Sequence, residues 1–187
     1  MNAPAKLQHR PFLAPLALLA LTVMSGVLIL IVASWVLVTD NSTTVIVVRH
    51  AEKATEGTDP PLTAEGEARA EMLARMFGDK RLKDHVDAIY VSPALRNRQT
   101  AEPLAARLGV TPTVASQADP SRLARRMLHE HPGARILVVG HVDTVPAIVA
   151  ALSGVRDLPS IGASEYGTMY IVTVPRIGRA SILSMSY

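Results

Sequence analysis

Residues 12–38 contain no charged side chain, and no arrangement of the rest of the chain can hide them. A helix of that length rises about 1.5 Å per residue and reaches roughly 40 Å, more than the ~30 Å hydrocarbon core of a bilayer. Inside a water-soluble fold it would need an apolar partner on every face, which the remaining chain is too small to supply. The block is therefore expected to span a membrane. A cleaved signal peptide is the competing reading, but its apolar region runs about 7–15 residues and ends in an Ala-x-Ala-like site. Neither condition is met here. Lys6 and Arg10 precede the block, Asp40 follows it, and Trp35 lies near its far end. By the positive-inside rule residues 1–11 are expected to form a short cytoplasmic tail and residues 12–38 a single-pass signal anchor in the cytoplasmic membrane, with Trp35 at the outer interface. Everything after about residue 40 is then periplasmic or extracellular.

The chain is 49% hydrophobic, and much of that excess sits in this one block. Residues 41–187 have the length of a single domain with a full core. Setting aside Lys6, Arg10 and Asp40, the 19 Lys and Arg and 16 Asp and Glu of the chain leave 17 and 15 in this part, a balance of +2. With no basic run and no aromatic-basic interleaving, nucleic acid is not an expected partner. The chain has no cysteine, which excludes a disulfide framework and a cysteine-linked lipid but leaves the redox compartment open.

Beyond the anchor, strand and helix patterns alternate. Val45-Ile46-Val47-Val48 is a short β-branched run that reads as a strand covered on both faces. Thr63 opens a helix through about Met76 or Phe77, with Glu65 and Glu67 in the first turn, where the helix dipole favours anions. Residues 86–91 form a second strand, and a helix follows from about Leu95 to Leu108, closed by Gly109. A weak strand at 111–114 precedes Asp119-Pro120, an N-cap with proline at the first helical position, whose helix runs to about Glu130. Residues 136–139 are a strong strand, 144–152 a helix, and 169–174 and 180–184 two terminal strands. This order predicts a three-layer α/β/α domain whose mostly parallel sheet ends in an antiparallel edge.

The first strand runs straight into Arg49-His50, and open α/β sheets keep their sites at the carboxyl ends of strands. From this segment alone, a functional pair and a strand running out into solvent are equal readings. The strand at 136–139 runs likewise into Gly140-His141, and the strand at 86–91 into Ser92-Pro93-Ala94-Leu95-Arg96. Two imidazoles and two guanidiniums along one sheet edge suit a dianionic phosphoryl group. Arginine forks offer paired donors to its oxygens, and a neutral imidazole can attack phosphorus in line.

Four segments carry a resemblance. They are Val45-Ile46-Val47-Val48-Arg49-His50-Ala51-Glu52-Lys53, Pro60-Pro61-Leu62-Thr63-Ala64-Glu65-Gly66, Ser92-Pro93-Ala94-Leu95-Arg96-Asn97-Arg98-Gln99-Thr100-Ala101 and Val138-Val139-Gly140-His141. In them, and over nearly all of residues 44–175, the chain resembles the histidine phosphatase superfamily, the phosphoglycerate-mutase-like proteins, and within it the short branch-1-type members. The resemblance implies the phosphoglycerate-mutase-like α/β/α fold. It implies His50 as the nucleophile that becomes phosphohistidine, Arg49 and Arg96 as the phosphate clamp, and His141 as a further donor to the transferring group. Arg96 is preferred to Arg98 because the family arginine stands four residues after the serine and four before the threonine. Ser92 and Thr100 are expected to be a helix-start residue and a packing residue.

The leaving-group acid is less defined. Larger relatives use a glutamate on an insertion, or an aspartate right after the second histidine, where this chain has Val142. Glu52 and Asp143 are the candidates, each two residues from a histidine. Asp143 reads equally as a helix N-cap, and Glu52 equally as a group orienting backbone or an arginine. His50, Glu52, His141 and Asp143 are also ligand types for zinc, but the neighbouring arginines oppose a dication, so neither a metal nor a cofactor is expected. His85, His129 and His131 are expected at the surface, and His9 in the tail. The functional expectation is a phosphatase acting on a phosphomonoester or phosphoramidate, carried by a small molecule, glycan, lipid or phosphoprotein. The alternatives are a phospho-ligand-binding or scaffold protein of the same fold, and a phosphomutase.

Overall fold

The computed structural model describes residues 13–38, 42–81 and 85–187. Residues 1–12, 39–41 and 82–84 lie outside the described residues, and with them the whole of the expected tail and the first residue of the expected anchor. The chain divides into two units, residues 1–40 and 41–187.

The first unit holds α1 (Leu13–Val38). Its stretch Leu16–Ser34 has a mean hydropathy of 2.8 and is exposed throughout, which makes it long and apolar enough to cross a membrane by length and composition. Two of its polar side chains are satisfied internally. Thr22 and Ser34 return their hydroxyls to the carbonyls of Leu19 and Ile31, at 2.9 and 2.8 Å. A helix in hydrocarbon needs this, because no solvent is there to accept those protons.

In the second unit six strands form one sheet. They are β1 (Thr43–Arg49), β2 (Ala88–Val91), β3 (Thr113–Val114), β4 (Arg135–Gly140), β5 (Thr168–Val174) and β6 (Ser181–Ser186), in the spatial order β3-β2-β4-β1-β5-β6. The pairs among β1, β2, β3 and β4 are parallel; β5 lies antiparallel to β1, and β6 to β5. The helices are α2 (Ala64–Phe77), α3 (Leu95–Leu108), α4 (Pro120–Glu130) and α5 (Thr144–Ser153).

Alternation along β1 makes the three layers. Ile46 and Val48 point into one apolar cluster with Leu73 and Ala74 of α2 and Leu104 of α3. Val45 and Val47 point into another with Met127 of α4 and Ile148 of α5. Because successive side chains leave opposite faces, a strand with no polar residue between Val45 and Val48 must be covered on both sides. The strand at β2 is shorter than expected for a local reason. Asp87 donates its backbone N–H to the Arg135 carbonyl but uses its carboxylate to accept the Arg135 N–H, ending the ladder there.

Helix ends follow their capping residues. Thr63 accepts from the Gly66 N–H, Asp119 accepts from the Arg122 N–H, and Gly109 and Gly154 close α3 and α5 in the left-handed conformation. Gly66 has a second reason to be glycine. A β-carbon there would stand 2.2 Å from the Glu52 carbonyl oxygen, so only a bare backbone lets α2 approach the segment after His50. Among the histidines expected at the surface, His129 is exposed and His85 pairs with Asp87 at 3.3 Å. His131 departs from expectation: its Nε2 lies 3.1 Å from the buried Tyr90 hydroxyl, with the two rings edge to face.

Candidate active site

The carboxyl ends of three adjacent strands stand level. Arg49 is the register partner of Gly140, and Val91 of Val139, so the residues that follow β1, β2 and β4 emerge at one edge. His50 extends the ladder by one bond, its N–H donating to the Gly140 carbonyl at 2.9 Å. The His50 ring is 3% exposed, and its Nδ1 lies 2.8 Å from the carbonyl oxygen of Ala51. A carbonyl only accepts, so Nδ1 carries the proton, and in the neutral ring Nε2 holds the free lone pair. Burial pushes the His50 pKa down to about 4; the Ala51 carbonyl pulls the other way, while Arg96, Arg49 and His141 add to the lowering. The imidazole is thus neutral at ordinary pH, with its basic nitrogen fixed by backbone.

His141 faces it, the ring centroids 5.5 Å apart and the planes at 66°. Its Nδ1 is 3.4 Å from Arg96 Nη2, which can only donate, and its Nε2 is 2.9 Å from Ser92 Oγ. Burial and Arg96 lower its pKa as well, against a smaller opposing pull from Asp143. Behind the ring, His141 donates its N–H to Thr144 Oγ1 at 2.8 Å, and Thr144 in turn donates to Gln117 Oε1 at 3.0 Å. Gly140 permits this packing, since a β-carbon there would fall 2.9 Å from Thr144 Oγ1.

Both arginines named from the sequence reach this edge. Arg49 is 5% exposed; its Nη1 donates to the carbonyls of Gly162 and Glu165, at 3.0 and 2.9 Å, and its guanidinium lies 4.0 Å from the Tyr166 ring centre. Arg96 meets His141 and, through Nη1, Asp59 at 3.6 Å. The Nε atoms of both arginines are buried with no partner among the described residues. A buried guanidinium donor left unmade is costly, and two of them beside neutral imidazoles suit a tetrahedral oxyanion. Arg98 is exposed on α3, away from this cluster.

The two candidate acids part ways. Glu52 is held by Arg69, whose Nε and Nη2 donate to its carboxylate at 2.6–2.9 Å. Burial, the largest single influence, raises its pKa, but the Arg69 hydrogen bonds, a backbone hydrogen bond and the charges of Arg69 and Arg49 together hold the carboxylate below its usual range. Of the two readings of Glu52, the contacts favour the one in which it orients an arginine, Arg69 of α2. Asp143 is exposed at the N-cap position of α5 and makes no capping hydrogen bond. Among the described residues, no group of three or more His, Cys, Asp and Glu is arranged to hold a metal ion.

Several contacts went unseen in the sequence. Ser92 does not start α3; Ala94 occupies the N-cap position, the carboxylate of Asp59 receives the Leu95 N–H at 3.0 Å, and Ser92 instead orients His141. Thr100 does more than pack, since Oγ1 accepts from the Ala51 N–H at 3.0 Å and donates to the Arg96 carbonyl at 2.7 Å, joining the two sides of the site. The Tyr166 ring stands 5.9 Å from that of His50. A cavity of about 330 Å³, lined in part by Ser92, Arg96, Ser116, Gln117 and His141, opens beside the cluster.

Residues 45–119 match the model of a family described as the histidine phosphatase superfamily (branch 1). An uncharacterized protein of Picosynechococcus sp. is 37% identical over 99 residues, which make up 49% of this chain and 58% of that protein; the match thus spans less than two thirds of this curated relative. Among solved structures, the protein histidine phosphatase SixA complexed with tungstate is similar at a TM-score of 0.63 and 22% identity, covering 76% of this chain and 96% of that one. A mycobacterial glucosyl-3-phosphoglycerate phosphatase is similar at a TM-score of 0.60 and 15% identity, covering 78% and 98%. The family match starts on β1 and carries through Arg49, His50 and Arg96, and the two solved neighbours share the fold, so residues 45–119 are similar to the histidine phosphatase superfamily (branch 1).

Proposed function

We propose that the protein is a phosphatase that works through a phosphohistidine on His50. The observation that carries this reading is the fixed tautomer of His50, its Nδ1 proton directed at the Ala51 carbonyl, next to two arginines whose Nε donors are unpartnered. In the first displacement Nε2 attacks phosphorus, the Nε2–P bond forms, and the P–O or P–N bond to the leaving group breaks with its electron pair. In the second, water attacks phosphorus, the Nε2–P bond breaks, and inorganic phosphate departs with the ring neutral again. Arg49 and Arg96 hold the equatorial oxygens, whose charge is the main thing such a site must match. A bound dianion next to His141 raises that ring's affinity for a proton, so Nδ1 becomes a donor to the transferring group.

Asp143 is the carboxylate we assign to protonate poor leaving groups, since Glu52 is engaged by Arg69. Phosphoramidates and activated esters need little such help, and the substrate class accordingly extends from phosphomonoesters to phosphohistidine-like bonds. One similar structure is of a protein histidine phosphatase bound to tungstate and another of a sugar-phosphate phosphatase, which supports a phosphorylated substrate in general. The apolar α1, with Lys6 and Arg10 before it, supports a single-pass anchor that leaves residues 41–187 as a catalytic domain outside the cytoplasm.

The test is turnover of an aryl phosphate by the full chain in detergent, with acid quenching to trap an acid-labile phosphoryl adduct. Wild type should form the adduct and His50→Ala should not. Undiminished turnover in His50→Ala would sink the mechanism. A reporter fused after Tyr187 should be active only outside the cytoplasm; activity inside would refute the orientation.

A further inference from the structure

We infer that Tyr166 is a positioning residue for Arg49, holding its guanidinium so that one edge stays available to phosphate. The inference rests on the reading of Arg49 as part of the phosphate clamp, and it adds a residue from a segment outside all four motifs.

A guanidinium has two edges that can form paired bonds, and the one made by Nε and Nη2 is the side-on fork. Arg69 uses that edge on Glu52 in this same molecule. In Arg49 the opposite nitrogen, Nη1, is fully engaged by two backbone carbonyls, those of Gly162 and Glu165. Nε is buried with no partner among the described residues. The segment that supplies the carbonyls is closed on itself: Glu165 donates its N–H to the Gly162 carbonyl at 3.0 Å, and its carboxylate accepts the Gly162 N–H at 3.1 Å and the Thr168 hydroxyl. Tyr166 follows directly and lays its ring against the guanidinium at 4.0 Å.

Carbonyls in the guanidinium plane fix Nη1 but leave the group free to tilt about that contact. A ring against its face removes the tilt, and a cation against an aromatic face is favourable in itself. The ring also keeps water from one face of the cation, which strengthens whatever charge Arg49 meets on its remaining edge. Tyr166 thus acts on phosphate through Arg49, and its hydroxyl has no part in this.

Calorimetric titration of the full chain in detergent with inorganic phosphate tests this without relying on turnover. Tyr166→Ala should weaken phosphate binding about tenfold, while Tyr166→Phe stays within about twofold of wild type. In an Arg49→Lys background, where no side-on fork exists, Tyr166→Ala should add little, and Ser164→Ala, an exposed change in the same segment, should be neutral. With an aryl phosphate, KM should rise in Tyr166→Ala more than kcat falls. Wild-type affinity in Tyr166→Ala, an equal loss in Tyr166→Phe, or an undiminished effect in the lysine background would each overturn the inference. Absence of turnover in the wild type, with these affinity ratios intact, would instead overturn the hydrolytic reading and still support the role of Tyr166.

Discussion

The imidazole of His50 and the carbonyl of Ala51 are neighbours in sequence that face one another at 2.8 Å, so the tautomer of the proposed nucleophile is written into its own backbone. Orientation by a carbonyl rather than a carboxylate leaves no negative charge to stabilise a protonated ring. The consequences are open to measurement.

His50 should titrate near pH 4, well below an ordinary histidine, because burial disfavours its charged form. Ring nitrogen shifts in a ¹⁵N-labelled sample should report Nδ1–H and a bare Nε2 down to about that pH. The sign for stability follows from proton uptake. Between about pH 6.5 and 4 the unfolded chain binds a proton that the folded one does not, so stability falls as pH drops through that window, and His141 adds in the same direction. His50→Ala should flatten this dependence in thermal melts at successive pH values.

Glu52 and Asp143 should separate by phenotype. Glu52→Gln leaves Arg69 without its charged partner and should cost about 1–3 kcal/mol of stability while leaving turnover per folded molecule nearly unchanged. Asp143→Asn should leave stability close to wild type yet lower kcat by roughly 10–100-fold for alkyl phosphates and only slightly for nitrophenyl phosphate. Parallel melts and a leaving-group series read both effects, and a Glu52→Gln defect that grows with leaving-group pKa would reverse the assignment.

Ser92→Ala removes the hydroxyl that meets His141 Nε2 at 2.9 Å. With the ring free to turn, kcat/KM should drop on the order of tenfold, a cost of about 1.4 kcal/mol in transition-state stabilisation. Ser92→Thr should recover most of it. A crystal structure of the alanine variant with the ring unmoved and activity unchanged would remove Ser92 from the site.

Gly66→Ala tests the approach of α2 to the segment after His50. The added carbon meets the Glu52 carbonyl at 2.2 Å, where backbone must shift, so a loss of about 1–3 kcal/mol is expected in denaturant melts. Gly57→Ala, whose glycine has nothing within 4 Å of an added carbon but a positive φ, should cost less.

The parts of this fold that announce themselves in sequence are those in which local pattern and burial agree. Val45-Ile46-Val47-Val48 is apolar without alternation, and that alone places helices on both faces. Arg49, His50, Arg96 and His141 are legible because each stands just beyond a strand that the pattern locates. Ser92 and Thr100 were harder, since their partners lie 49 residues away and only the sheet order brings them together. Tyr166 had no signal at all. It sits in an irregular segment between α5 and β5 with no periodicity to read, and its value comes from an arginine more than a hundred positions earlier. The contact of His131 is hidden for a related reason: a helix C-terminus looks polar in sequence, and only the fold brings Tyr90 of β2 to it.

Pro93, just past β2, has no N–H to offer the end of β4, and the Val139 oxygen is met instead by the amides of Asn97 and Gln117, at 2.9 and 2.8 Å. The first turn of α3 and the loop before α4 are thereby pinned to the strand that leads to His141. Variation in what the molecule recognises therefore has little room at this inner rim. The irregular stretches at 54–58 and 155–160 stop short of Asp59 and of the Gly162–Tyr166 segment that hold Arg96 and Arg49, and a library aimed at new substrates should begin there.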